Sequence, residues 1–523
     1  MSIAKYNGSF GRLELIHLLK RTTFGAHIKD LDTFKGKSLT EVLSILTADR
    51  AIPSPPVNTY NDATFTDPSV PINQTWVNAN YDDGTTNAKR LNSLRSWLTG
   101  VIINQKSSIQ EKMMLFWHNH FALESGIVAD ARYMYKYFAL LQKFSVGNFK
   151  TLVKEVTLDP AMLRYLNGYL NSKTAPDENY GRELQELFTM GKGVNSKYTE
   201  ADVKAAAKVL TGFKIDGIKI ESNFDTTKHD ITDKQFSSFY NNSIIKGKTG
   251  TAGASELDDL INMLFLQNEV AMFICRKLYR FFVYYEITAQ IEQEIIAPLA
   301  QTFINSNFEI KPVLIELLGS DHFFKSQNRS CFIKTPLDLM IGICREFDVI
   351  FPDASDAATQ NVLWLYLKSL AANIQLNLGD PPNVAGWPAF YQFPQFYEIW
   401  INSDTLPKRN QFTDTMIGAG ITRNSKKIVI DPLKYVTNFS KPEDPNILIS
   451  EVLDHLLTLP PTVNLKQQLK NILLSNQTSD YYWTDAWNSY LQSPTDNVKK
   501  SIVLGRLQTM IKYIMNLPQF QLI

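Results

Sequence analysis

The chain has 523 residues, 44% of them hydrophobic and 20% charged, an ordinary globular composition rather than that of a disordered or membrane-embedded chain. Lys and Arg total 53 against 52 Asp and Glu, so no global field draws the chain to nucleic acid or to an anionic membrane surface. At about 150 residues per domain the length predicts about three to four domains, which large helical proteins often merge around one core.

The opening, MSIAKYNGSFGRLELIHLLKR, reads as a helix and lacks the apolar stretch and small-residue cleavage site of an export signal, so the chain as written is expected in the cytoplasm. Leu13 to about Asp49 carries two helical patterns separated by TTFGAH. From Ala51 to about Asn87, Pro53, Pro55, Pro56, Pro68 and Pro71 stand among many Asn, Asp and Thr. Such a segment cannot be helix and is too aromatic for a free linker, so an ordered surface loop over 51–88 is expected, one that could lie over a cleft. Helical spacing returns with Leu91, Leu94, Leu98 and Ile102, and again with Ile109, Met113, Phe116 and Trp117.

Between Gly212 and Asp230 the period changes to two. Phe213 and Ile215 alternate with polar residues, Asp216–Gly217 suits a type I′ turn, and Ile218 and Ile220 resume the alternation. This predicts a hairpin pairing Ile215 with Ile218 and Phe213 with Ile220, with Lys214 and Lys219 on its other face. A loop rich in Gly, Ser and Thr follows to about Ser255, making 212–255 a hairpin-and-loop insertion. Helical patterns dominate from Glu256 to about Leu378, the texture is irregular from about Asp404 to Asp444, and helices return from Pro445. ELLGSDHFF and MNLPQFQ both end a helix with a turn and an aromatic anchor. The expected fold class is therefore mainly α: a large multi-helical protein with a small β-hairpin insertion and long ordered loops. Residues 1–403 are read as a main helical domain and 404–523 as a C-terminal helical region packed on it. No apolar run offers a membrane span, since the richest, FICRKLYRFFVYY, is interrupted by Arg276, Lys277 and Arg280.

Familiar signatures are absent. Cys275, Cys331 and Cys344 have no CxxC spacing and an odd count, so buried free thiols are expected. KGKTGTAG, from Lys246, lacks the first glycine of a phosphate loop, for which the position is Asn242, and reads as a mobile loop. There is no HExxH, GxSxG or GxGxxG behind a strand.

Three stretches concentrate polar groups. In NYGRELQELFTMGKG, Asn179, Arg182, Glu183 and Glu186 fall on one arc of about 100° and Leu184, Leu187 and Phe188 on the next. That pattern is either a functional face or a solvated one with an Arg182–Glu186 ion pair. Thr199 and Asp202 then form a capping-box pattern for the next helix. FDTTKHD sets His229 beside Asp230, a metal-ligand or acid–base couple or else a plain Asp-capped turn. In FWHNHFALES, His118 and His120 would point about 200° apart on a regular helix, so both reach one site only if the helix ends or distorts between Trp117 and Phe121. The bland alternative has one histidine buried on a backbone partner and the other exposed.

KMMLFWHNHFA, NYGRELQELFTMGKGVNSKYTEADV, VLTGF, HDITDK, CRKLYRFFV and PPNVAGWP, with HLLKRTTFGA before them and LPQFQL after, resemble in their order the bacterial family called domain of unknown function 1800. The resemblance spans nearly the whole chain. It implies a large, mainly helical bacterial protein without an established activity, a member of a family often exported and often encoded beside a second uncharacterised family similar to sulfatases and phosphatases. A co-encoded protein of that kind is the partner the resemblance implies, and the family's habit points outside the cytoplasm. The family pattern selects Trp117, His118, Asn119 and His120; Asn179, Arg182, Glu183 and Glu186; His229, Asp230 and Lys234; Arg276 and Lys277; and Pro381, Pro382, Asn383, Gly386 and Trp387.

Two hypotheses follow. In the first, His118, His120, His229, Glu183, Glu186 and Asp230 converge in one cleft of a hydrolase-like enzyme. There the three histidines would bind a divalent metal such as Zn, Mn or Fe, or the same groups would do acid–base work without one. Asn179, Arg182, Lys234, Lys277 and Asn383 would then bind substrate, and Trp387 would give a flat wall for a ring, unless it is a structural plug. In the second, the chain is a non-enzymatic binding or assembly protein and the same cluster is a polar network that fixes helix packing.

Overall fold

A computed structural model describes residues 2–523. Among the described residues the chain is mainly α, with three antiparallel two-stranded sheets among its helices and long irregular connections. Helix starts follow the local chemistry. Asp83 caps Gly84–Ile103 by accepting the amides of Thr85 and Thr86, and Thr199 with Asp202 closes the expected capping box at Glu200–Val209. One hydrophobic cluster includes residues from Ile3 to Ile523. The last residue, Ile523, exchanges backbone hydrogen bonds with Phe332.

Gln110–His120 carries the paired histidines. Every residue of it is buried, which fits a helix covered on all sides. The rings of Phe149 and Phe281 pack on Trp117 and Phe116, and Ala131–Lys143 lies against one flank. Glu178–Glu186 crosses Glu200–Val209 at close range because Gly181 has no Cβ; one there would lie 3.2 Å from the Val203 carbonyl and 3.1 Å from the Ala207 amide. Gly84–Ile103 packs on Ala357–Ala372, with the Trp364 ring over Gly100.

The proline-rich stretch is ordered loop up to the helix that begins at Gly84. Arg90 holds it from beneath, its fork on Asp67 at 2.8 and 2.9 Å and on Asp82 at 2.8 Å, while Trp76 Nε1 donates to Ser93 Oγ.

Several expectations are corrected. The first segment holds three helices, Arg12–Thr22, Ile28–Phe34 and Leu39–Leu46, rather than two. The hairpin exists but its register differs: Phe213–Asp216 pairs with Glu221–Phe224, so that Phe213 faces Phe224 and Ile215 faces Ser222. Asp216 accepts the amides of Ile218 and Lys219, which widens the turn to four residues and leaves Ile218 in solvent. Two further pairs were not anticipated, Lys234–Gln235 with Ile244–Ile245 and Ile421–Arg423 with Lys426–Ile428. A helix, Thr405–Ile417, occupies part of the stretch read as irregular. KGKTGTAG is held in place rather than mobile: Lys248 donates its amide to Glu256 and its ammonium to Asp259, and 250–255 forms a 3-10 turn. Among the described residues, no helix is long and apolar enough to cross a membrane.

Candidate functional site

The Gln110–His120 helix ends where FWHNHFALES required a break, but one residue too late to bring the two histidines together. It stays regular through His120, with Phe121 as cap, and His118 and His120 leave it on different sides. His118 Nδ1 lies 3.1 Å from the Tyr137 hydroxyl, which itself donates to the Phe121 carbonyl at 2.9 Å. Nδ1 must therefore carry the proton, and Nε2 has no partner. Burial pushes the His118 imidazolium down to about 3, against the attraction of Asp380. His120 Nε2 donates to the Phe188 carbonyl at 3.0 Å, and its Nδ1 accepts from the Lys277 ammonium at 2.9 Å. Burial first, then the Lys277 charge, keeps His120 neutral. Lys277 is half-buried, and desolvation followed by the repulsion of Arg280 brings its amine down to about 7.

PPNVAGWP closes over the same helix end. Asn119 Oδ1 accepts the Trp387 amide at 2.8 Å. Gly386 has φ +93°, and a Cβ on it would lie 2.4 Å from Asn119 Oδ1. The Trp387 ring meets His118 edge-on at 5.5 Å and is 1% exposed, so it is a plug and offers no face to a ligand. Asn383 lies at the surface, its side chain serving the Tyr391 hydroxyl and the Ala385 amide of its own loop. Asp380, just before the two prolines, accepts from the Ser125 amide and hydroxyl and from Arg95 at 2.9 Å, tying the loop to the residues after Phe121.

His229 belongs to a second assembly. Its Nδ1 faces the Thr211 carbonyl at 2.9 Å and its Nε2 faces Glu256 Oε1 at 3.0 Å, so both nitrogens meet oxygen acceptors. Glu256 also accepts from Lys234 Nζ at 2.5 Å and from the Lys248 amide at 2.7 Å. Lys234 adds a bond to the Asp230 carbonyl. The Asp230 carboxylate turns back on Thr232, an Asp-capped turn, and its amide donates to Thr211 Oγ1. VLTGF and HDITDK thus meet around one carboxylate that the sequence reading did not single out. Glu256 follows a Ser255 at a helix start, and nothing in its surroundings along the chain marks it for burial.

The carboxylates of the Glu178–Glu186 helix form a third group. Arg182 pairs with Glu200 at 2.6 Å and Glu178 at 3.4 Å, not with Glu186, which is held by Lys192. Asn179 is exposed, and its amide is capped by Asp177. Glu183 and Glu186 each keep one buried oxygen without a partner. Burial and then the charge of Glu186 raise the Glu183 carboxyl above the usual range.

The predicted residues therefore fall into three settings. His118 is 0% exposed and His120 and His229 are 1% exposed, each sealed among different partners. Among the described residues, no group of three or more His, Cys, Asp or Glu side chains is placed to hold a metal ion, so the three-histidine centre is not assembled. Tyr137, Asp380, Arg95 and Glu256 complete the networks, and no signal in their own stretches of sequence marks them. A family model described as "Protein of unknown function (DUF1800)" matches residues 17–522. No curated protein and no solved structure matches the chain.

Proposed function

The chain belongs to the DUF1800 family of proteins of unknown function, and from that premise we propose that it is a non-enzymatic binding protein whose histidine motifs are structural. One observation carries the reading. Five of the six ring nitrogens of His118, His120 and His229 are engaged by protein groups, and all three rings are sealed from solvent. A metal ligand needs a free lone pair, and an acid–base group needs access to its substrate. Each histidine instead joins elements distant in sequence: His118 the helix end to Tyr137, His120 the same end to Phe188 and Lys277, His229 the hairpin region to Glu256. Networks of this kind fix one packing among several. Elemental analysis of the purified chain tests it. The reading expects no stoichiometric divalent metal; one equivalent of metal that disappears in His118→Ala and His229→Ala would overturn it.

A hydrolase-like reading keeps one supporting feature, the neighbouring unpartnered oxygens of Glu183 and Glu186. If the pair serves chemistry rather than packing, Glu183→Gln raises the melting temperature above neutral pH by relieving repulsion, and removes whatever hydrolysis of nitrophenyl esters, phosphates or glycosides the wild type shows. A lowered melting temperature with no hydrolysis by the wild type excludes it.

A further inference from the structure

Lys277, in the CRKLYRFFV motif, is a half-buried lysine without a counter-charge. The buried lysines Lys20, Lys112 and Lys234 each meet a carboxylate: Glu346 at 3.3 Å, Asp338, and Glu256 at 2.5 Å. Such pairing is what lets an ammonium leave water. Lys277, on the helix Asn268–Phe282, has none. Its Nζ meets the neutral His120 Nδ1 at 2.9 Å and the ring of Phe273, whose centre is 5.0 Å away.

The charged groups of the same helix do not help it. Glu269 and Glu292 are both taken by Arg276, each at 2.6 Å. Arg280, one turn on from Lys277, gives its Nε to the Tyr285 carbonyl at 3.2 Å and pairs with no carboxylate. Lys277 therefore lies beside an uncompensated like charge. These neighbours favour the free amine, in line with the fall to about 7 that desolvation and Arg280 produce.

The amine is also held in a useful attitude. His120 is fixed by its bond to the Phe188 carbonyl, so Nδ1 presents a lone pair to Lys277. An amine that donates one N–H to that nitrogen keeps its own lone pair off the bond, free to attack. Lys334 is the contrast: it too has no carboxylate, but it is 3% exposed, with its nitrogen against the Phe520 ring.

We propose that Lys277 is a nucleophilic amine that captures a small apolar aldehyde as a Schiff base. The Nζ lone pair attacks the carbonyl carbon, and the carbonyl oxygen gains a proton from the nitrogen to give a carbinolamine. Its hydroxyl then leaves with the second nitrogen proton as water while the C=N bond forms, so nothing is oxidised or reduced. An aldehyde needs no leaving group, and the Phe273 ring offers it apolar surface. His120 acts as a positioning residue and holds no proton of the reaction. The proposal goes beyond the structural reading of the histidines and rests on it at one point, the neutral His120.

Reductive trapping on the full chain tests the site. The probes are butanal and benzaldehyde, each below one equivalent at neutral pH, with cyanoborohydride to reduce the imine to a stable amine; peptide masses then locate the label. Lys277 is labelled at least about tenfold faster than the exposed lysines, because about half of it is free amine near pH 7 against roughly one part in 2,500 of an ordinary lysine. Lys334 stays unlabelled. Lys277→Arg keeps the cation and abolishes the fast site. Arg280→Gln removes the repelling charge and slows the labelling of Lys277 at neutral pH about threefold. Mapping in the wild type decides the matter even if a variant folds poorly. Label spread over the lysines according to exposure, or a Lys277 rate no higher than theirs, overturns the proposal. Fast labelling of Lys277 that appears only after chelation of a metal would instead contradict the structural reading of His120 while leaving the lysine site standing.

Discussion

Glu256→Gln is the sharpest perturbation of the His229 assembly. The Glu256 carboxylate is completely buried and is met by three donors: His229 Nε2 at 3.0 Å, the Lys248 amide at 2.7 Å and Lys234 Nζ at 2.5 Å. The Lys234 ammonium is equally buried and otherwise has only the Asp230 carbonyl. Glutamine keeps the volume but turns one acceptor into a donor, so whichever way the amide faces, it meets Lys234 or His229 with the wrong group. Leaving a buried cation without its counter-charge costs about 3–5 kcal/mol, a large share of the roughly 5–15 kcal/mol that holds a protein folded. Urea unfolding followed by circular dichroism gives the change, read from the midpoint at constant slope. Adding Lys234→Met removes the stranded charge, so the double variant recovers at least about 2 kcal/mol, a coupling of the size seen between residues in one network. The pH dependence has a definite sign. Burial raises the Glu256 carboxyl, but His229, Lys234 and the Lys248 amide outweigh it and hold the group below its usual range. A depressed carboxyl contributes stability above its unfolded pKa that is lost as pH falls through the folded value, so wild type and variant converge in acid, below about pH 4. A cost under about 1 kcal/mol, or a Lys234→Met change that adds its full penalty on top, would refute the assignment of this network as structural.

Gly386→Ala forces a side chain into a positive φ and against Asn119, and is expected to cost about 2–4 kcal/mol in the same assay; a cost below about 1 kcal/mol would mean that the PPNVAGWP loop does not lock the helix end. Glu111→Gln tests the burial of a carboxyl at the start of the Gln110–His120 helix. A carboxyl raised from 4.5 to about 7 contributes stability that is full below its unfolded pKa and lost as pH rises through 7. The variant therefore gains up to about 3 kcal/mol at pH 8 and little at pH 4, while a gain independent of pH would contradict the burial of that carboxyl.

Much of the architecture was legible because helices advertise themselves by period. Leu91, Leu94, Leu98 and Ile102 all lie within Gly84–Ile103, and the Thr199–Asp202 box caps its helix as read. Thr405–Ile417 escaped because TLPKRNQFTDTMI mixes polar residues and a proline, and it is buried through Arg409, Phe412 and Met416 rather than by an apolar stripe. The hairpin was placed correctly but slipped in register. Asp216–Gly217 is a strong local turn signal, yet the contacts of Phe213 with Phe224, their rings 5.1 Å apart, and of Phe224 with His229 go with the later strand. In the candidate site the residue types were informative and the connections were not. The 200° separation of His118 and His120 could be worked out from the spacing, whereas Tyr137, Phe188 and Glu256 as their partners or counterparts depend on how distant helices pack. Trp387 shows the same limit, since a tryptophan between glycine and proline reads alike as a wall or a plug until its neighbour, His118, is known.

On this reading the motif histidines are fixed parts of the fold rather than ligands in waiting. Long-range proton–nitrogen correlation spectra of the histidine rings, recorded at neutral pH before and after one equivalent of Zn²⁺, test it directly. The predicted result is His118 protonated on Nδ1, His120 protonated on Nε2, and no change in the signals of His118, His120 or His229 on adding zinc. A zinc-dependent shift of the nitrogens of any two of the three would contradict it.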